Sequence, residues 1–206
     1  MTRWLAAGIV TIWSVYGVAG DLMQDMSAWE TQPFDEIQPS RYSVDAAPEA
    51  PVITGRCDNS ASLFGLRREI DLRRTPTLHW EWQVDGVYPG IDEQSKSGDD
   101  FVARVYAVKD GGLLKWRTRA LNYVWASEAA PGTHWPNPFR EQAMMIALQQ
   151  GNARVGEWVA ESRNIREDFR RFFDRDVDSI DGIAIMTDCD NHGGQAEVRF
   201  RNIRFR

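Results

Sequence analysis

Three separated stretches of this 206-residue chain carry carboxylates, a guanidinium and amides at spacings that suit one shared polar site. Asp188, Asp190 and Asn191 follow the apolar run at 183–186, where a strand should be ending. Carboxylates two apart on an extended chain point to the same side, so Asp188 and Asp190 can share a cation or a ligand hydroxyl. Asp99 and Asp100 immediately precede another strand. Hard oxygens converging from loop ends suit Ca²⁺, which takes about six to eight of them. That makes Asp188 and Asp190 the candidate metal ligands, although the spacing is not that of an EF-hand. The structural alternative is a pair of Asx turns that bond their own backbone. No other cofactor is expected.

Arg104 and Tyr106 share the less apolar parity of their strand, and Asn122 lies opposite Tyr123 and Trp125 in parity. Exported β-sandwiches that bind sugars use this combination: aromatic faces against the pyranose, with amide, guanidinium and carboxylate groups on its hydroxyls. The candidate ligand set is therefore Asp99, Asp100, Arg104, Tyr106, Asn122, Trp125, Asp188, Asp190 and Asn191. Large aromatics on alternating strands mostly fill cores, as expected of Trp80, Trp82, Trp125 and Trp158. Trp116 and Trp135 sit in polar, loop-like contexts and are the better stacking candidates. Glu81, Asp99, Asp100, Asp168 and Asp188 could supply an acid–base pair of the glycosidase kind, whose outcome depends on their separation. His79, His134 and His192 lack metal-ligand spacing, and no serine elbow, phosphate loop or dinucleotide fingerprint is present.

The elements that must position these groups are mostly strands. Leu78, Trp80, Trp82 and Val84 alternate with His79, Glu81 and Gln83, the pattern of a half-buried strand. Segments 101–108, 121–125, 144–148, 157–163, 183–187 and 196–205 read the same way, separated by turn signals such as Asp85-Gly86, Pro131-Gly132 and Gly193-Gly194. An irregular opening with one or two short strands occupies 21–51. Ile165, Phe169, Phe172 and Phe173 recur at helical spacing behind Asn164, which predicts one short helix over 165–173. Arg163, Arg166 and Arg170 are expected to pair with Glu167 and Asp168 on its solvated face. The apolar parity flips between Phe200 and Ile203, predicting a β-bulge near Arg201-Asn202. The fold class is mostly β: a two-sheet antiparallel sandwich or jelly roll with one short helix.

Arg3, the apolar run from Leu5 to Val18 and the closing Val18-Ala19-Gly20 form a secretory signal, cleaved before Asp21. The run is shorter than the roughly 20 residues a bilayer span needs, so no span is expected after cleavage. Residues 21–206 then form a single domain, periplasmic or secreted. The net charge of −6, with signs interspersed, excludes a nucleic-acid partner, which would need a basic patch. Cys57 and Cys189 are the only cysteines, and export makes a disulfide between them the expectation.

Four stretches occur together: Ser60-Ala61-Ser62-Leu63; Gly98-Asp99-Asp100-Phe101 running into Ala103-Arg104-Val105-Tyr106; Leu121-Asn122-Tyr123-Val124-Trp125; and Ile185-Met186-Thr187-Asp188 with Asp190-Asn191. The set resembles a bacterial family of exported proteins known only as a domain of unknown function. The resemblance runs from about Trp29 to the C-terminus and implies a sandwich similar to the jelly rolls of carbohydrate-binding modules. It implies no activity. The functional expectation is an exported, non-catalytic binding protein whose partner is a glycan or envelope polysaccharide. The alternatives are a polysaccharide-active enzyme working through the loop-end carboxylates, and a purely structural envelope protein.

Overall fold

A computed structural model describes residues 20–45 and 51–206. The predicted signal segment lies outside the described residues, save Gly20 at its end. Among the described residues, two sheets pack face to face. The larger has the order β1 (Trp29–Pro33), β4 (Ala61–Asp71), β11 (Ser179–Asp188), β6 (Ala103–Lys109), β7 (Arg119–Ala126), β9 (Ala143–Gln150) and β8 (His134–Pro136). The smaller has the order β10 (Val159–Asn164), β5 (Thr77–Val84), β12 (Gln195–Phe205), β3 (Val52–Asp58) and β2 (Arg41–Asp45). Pairing is antiparallel except between β7 and β9, which run parallel. Alternation cannot show strand direction, and the connection through β8 is what lets β9 return in the same sense as β7.

The core between the sheets is aromatic. Trp80 and Trp82 of β5 face Tyr123 and Trp125 of β7 across the layer, with ring centroids 5.5 and 5.9 Å apart. Side chains alternate along a strand, so the neighbours of Tyr123 and Trp125 must point the other way. Asn122 and Val124 therefore face outward, and their cross-strand partners Tyr106 and Arg104 share that face. Met186 lies beside Arg104 in the same row. Part of this outer face is closed by a second apolar cluster of Phe101, Val124, Ala126, Trp135, Met145 and Ala147. Arg104 is buried beneath that cover although it is on the outer face.

The helix α1 spans Ile165–Phe173 as its phenylalanine spacing predicts, and the Asn164 side chain accepts from the Glu167 N–H at 3.1 Å. Of the expected ion pairs Arg163–Asp168 forms, whereas the arginines of the helix itself reach acids beyond its end. Arg166 binds Asp176 and Asp178, and Arg170 binds Asp176. Asp168 is buried rather than solvated, because Arg163 from the end of β10 and the Tyr123 hydroxyl both bond it. Asn202 takes a left-handed φ of 56° where the register of β12 slips, which is the bulge the parity flip predicts. Cys57 and Cys189 are disulfide-bonded with Cα atoms 6.0 Å apart, joining β3 of one sheet to the chain just after β11 of the other.

Candidate functional site

The Gly98–Asp100 turn, β6 and the end of β11 meet at one end of the larger sheet. Gly98 is required there: a β-carbon would collide with the Asp92 carbonyl, and that close approach sets the direction in which Asp99 and Asp100 enter. Arg104 is 2 % exposed and occupies the centre. Its Nε donates to one Asp188 oxygen at 2.7 Å and its Nη2 to the other, a bidentate pair. The same Nη2 donates to the Asp99 carbonyl at 2.6 Å, and Nη1 reaches the Asp99 carboxylate at 3.4 Å. The flat of the guanidinium lies 4.5 Å from the Phe101 ring centroid, so the apolar cover contributes a cation–π contact.

Asp100 is turned toward the next loop. Its oxygens accept from the backbone N–H groups of Asn191 and His192 and from the Asn191 amide. The other Asp99 oxygen accepts from the Asn137 amide at 2.8 Å. Asp100, Asp188 and Asp190 each place an oxygen within 4.8 Å of the others. Four carboxylates around one guanidinium leave an excess of negative charge. Burial pushes the Asp188 carboxyl up, Arg104 opposes it, and Asp100 and Asp99 add to the push. Arg104 is held protonated well above its usual range by the carboxylates, against the effect of burial. Burial, then Asp100, also raises Asp190.

Seven of the nine candidate ligand residues thus come together by direct contact or short oxygen separations around Arg104: Asp99, Asp100, Arg104, Asp188, Asp190, Asn191 and, beside the guanidinium, Tyr106. Tyr106 is half-buried, its hydroxyl donates to the Met186 sulfur at 3.5 Å, and burial raises its pKa. Asn122 neighbours Tyr106 across the strand pair. Its amide nitrogen meets the Met145 sulfur at 3.0 Å, and its carbonyl oxygen, fully buried, has no hydrogen-bond partner among the described residues.

Trp125 is placed elsewhere. It is 1 % exposed in the inter-sheet core, with its indole N–H donating to the Gly151 carbonyl. Odd and even positions of β7 face opposite layers, which separates Trp125 from Asn122. Trp135 is also no platform, because it is buried against Phe101 in the outer cluster. Trp158 is half-exposed rather than core, and Arg201 stacks on it at 4.0 Å. Trp116 is exposed. The remaining acid–base candidates have partners of their own: Glu81 holds Arg201 and Asn202, and Asp168 holds Arg163.

Three participants were not among the candidate ligand residues. Asn137 and Phe101 complete the surroundings of Asp99 and Arg104. Glu93, buried, accepts from the backbone N–H groups of Ser127, Glu128 and Ala129 and fixes the loop that carries the outer cover. A buried Glu outside any regular element is invisible to pattern reading. Among the hollows of the surface are one of about 510 Å³ beside Cys57 and one of about 360 Å³ at the start of α1, and neither of these is lined by the Arg104 group.

The Gly98–Asp100 turn, Arg104, Asn122 and Asp188 thus lie close together at one end of the larger sheet. Residues 27–204 match the family described as "Protein of unknown function (DUF3047)". The chain belongs to that family. No curated protein matches the chain in sequence. Among solved structures, this DUF3047 protein is similar to the catalytic domain of Humicola grisea Cel12A in complex with a thio cellotetraose. That match has 10 % identity, covers 87 % of this chain and 93 % of that one, and has a TM-score of 0.51. A cellulase derived from Cel12A of Rhodothermus marinus matches with 7 % identity, 86 % and 93 % coverage and a TM-score of 0.49. A family 29 carbohydrate-binding module matches with 10 % identity, 87 % and 82 % coverage and a TM-score of 0.39. At such identity the likeness is one of fold: this DUF3047 chain is a two-sheet jelly roll.

Proposed function

We propose that this protein is an exported, non-catalytic binding protein for a polysaccharide. The ligand would lie against the outer face of the larger sheet at the half-buried Tyr106, over the buried Asn122, with the covered Arg104–Asp188 pair fixing the strand ends beneath. The observation that carries this reading is the Asn122 carbonyl oxygen, buried without a partner beside a half-buried tyrosine. An unsatisfied buried acceptor is costly, about 1–3 kcal/mol, and a sugar hydroxyl is a donor of the right kind. The fold this chain shares with the Cel12A catalytic domain of Humicola grisea, which was solved with a thio cellotetraose, is in keeping with the same ligand class. Hydrolysis is disfavoured because Asp99, Asp100, Asp168, Asp188 and Glu81 are each engaged by neighbouring donors. The joined cysteines support an oxidising, exported location. Among the described residues no helix is long and apolar enough to cross a membrane.

Isothermal titration with cellohexaose and with a soluble β-glucan tests this. Tyr106→Phe and Asn122→Ala should each weaken binding about fivefold to tenfold, one hydrogen bond's worth, with an unchanged far-UV spectrum. No reducing sugar should accumulate during long incubation. Heat-silent titrations across the glycan series, or reducing ends that disappear in Asp188→Asn, would end the proposal.

A structural role for the Arg104 group is the second reading, favoured by its bidentate, buried geometry. Calcium fits the group poorly. Both Asp188 oxygens face Arg104 and both Asp100 oxygens accept N–H bonds, so few of the oxygens Ca²⁺ needs are free. Excess EDTA is therefore expected to leave the melting temperature unchanged, and a fall of several degrees reversed by Ca²⁺ would restore the metal reading.

A further inference from the structure

The connection between β6 and β7 exposes apolar side chains that the fold does not use. Its sequence, from 109 to 119, is Lys-Asp-Gly-Gly-Leu-Leu-Lys-Trp-Arg-Thr-Arg. Leu113 is 100 % exposed and Trp116 66 %, the two most exposed large apolar residues described. This is a built tip. The Leu114 N–H donates to the Gly111 carbonyl and the Arg117 N–H to the Leu114 carbonyl, while Asp110 accepts from the Gly112 N–H. Gly111 is obligatory, since a β-carbon would collide with the Leu114 carbonyl. Arg119 donates to the carbonyls of Trp116 and Thr118 and packs over the Phe173 ring, and Arg175 donates to the Arg117 carbonyl. Two guanidiniums thus brace the turn from below and present Leu113 and Trp116 outward.

The charge around the tip runs against that of the chain. Arg117 is exposed, and Arg119 and Arg175 are close enough for Arg175 to depress the Arg119 pKa, after burial. Asp110, the acid on the turn itself, accepts from the Gly112 N–H and the Thr118 hydroxyl, while Asp181 binds Lys109 and Asp176 binds Arg166 and Arg170. A protein of net charge −6 here carries Arg117, Arg119 and Arg175 within one turn and its brace. Trp and Leu at a rigid tip, ringed by cations, match a bilayer interface: the indole seats at headgroup depth and the cations meet anionic lipid. We propose that the turn at 110–118 docks this protein reversibly on an anionic phospholipid bilayer, with Leu113 and Trp116 inserted and the arginines on the headgroups. The observation is independent of the glycan reading.

Co-sedimentation with vesicles of phosphatidylcholine and phosphatidylglycerol, about three to one, against pure phosphatidylcholine tests this, using the purified disulfide-bonded protein. Wild type should pellet with the anionic vesicles and be released by roughly 0.5 M salt. The double variant Leu113→Ser, Trp116→Ala should need at least about tenfold more lipid for half-binding, and Arg117→Glu about fivefold more. Both changes are on an exposed tip, and a melting temperature equal to wild type verifies the fold. The proposal is overturned if wild type stays in the supernatant, or if the double variant pellets like wild type. It is equally overturned if the double variant loses only soluble-oligosaccharide binding, or only a dimer seen by size exclusion.

Discussion

Arg104→Met is expected to remove about 3–5 kcal/mol of folding stability at neutral pH, the cost of breaking a buried ion pair from one side. Methionine fills much of the same space under Phe101, so the loss is electrostatic rather than a cavity. Without the guanidinium, Asp188, Asp100 and Asp190 face one another inside 4.8 Å with no countercharge. A proton is then the only available substitute. Burial already pushes the Asp188 carboxyl up in the intact protein, and losing Arg104 removes the main influence opposing it. A carboxyl whose folded pKa is raised stabilises the fold when protonated. That contribution is complete below the unfolded value of about 3.9 and is lost as pH rises through the folded value. The variant's deficit should therefore be smaller at about pH 5 than at about pH 8. The double variant Arg104→Met, Asp188→Leu should recover a large part of it, since an apolar pair needs no countercharge. Urea melts of the three proteins at both pH values decide the matter. A deficit below about 1 kcal/mol, or one equal at both pH values, would show that the pair is not the electrostatic centre described.

Alternation along β5, β6 and β7 was enough to place the strands and to turn Arg104, Tyr106 and Asn122 away from the apolar side of their own strands, because a half-buried strand writes its orientation in its sequence. The helix 165–173 and the Asn202 bulge were legible for a similar local reason: capping and parity are properties of a few adjacent residues. The parallel return of β9 was not legible, since strand direction depends on a connection and not on pattern. Trp125 shows the limit of composition. Its type suits a sugar, its parity puts it against Trp82, and packing decided. Trp135 fails differently: its polar neighbours look like a surface loop, but Glu93 ties the preceding loop down and the indole closes the outer face. Arg166 and Arg170 found Asp176 and Asp178 beyond the helix end, partners that helical spacing cannot reveal. The convergence of Asp99, Arg104 and Asp188 rests on β6 and β11 being sheet neighbours, which no single-sequence argument supplied.

Cutting the Cys57–Cys189 bond should cost about 2–5 kcal/mol and lower the melting temperature by roughly 5–20 °C for a domain of this size. The two cysteines are 132 residues apart, so the bond closes a long loop and most restricts the unfolded chain. It also ties the two sheets together at a particular place. Cys189 directly follows Asp188, its N–H donates to the Ser60 carbonyl at 3.0 Å, and the Asp188 carbonyl accepts from the Tyr88 hydroxyl at 2.8 Å. The strand end that carries the central carboxylate is therefore held from three sides, one of them covalent. The double variant Cys57→Ala, Cys189→Ala separates these effects. If the bond acts by restricting the unfolded chain, the variant should show a larger urea m-value, because its unfolded state exposes more surface. Its affinity for any glycan should then match wild type. If the bond acts by holding Asp188 in place, m should stay constant and glycan affinity should fall. Thiol titration in denaturant without reductant is the prior test, and two reactive thiols on the purified protein would remove the premise of both.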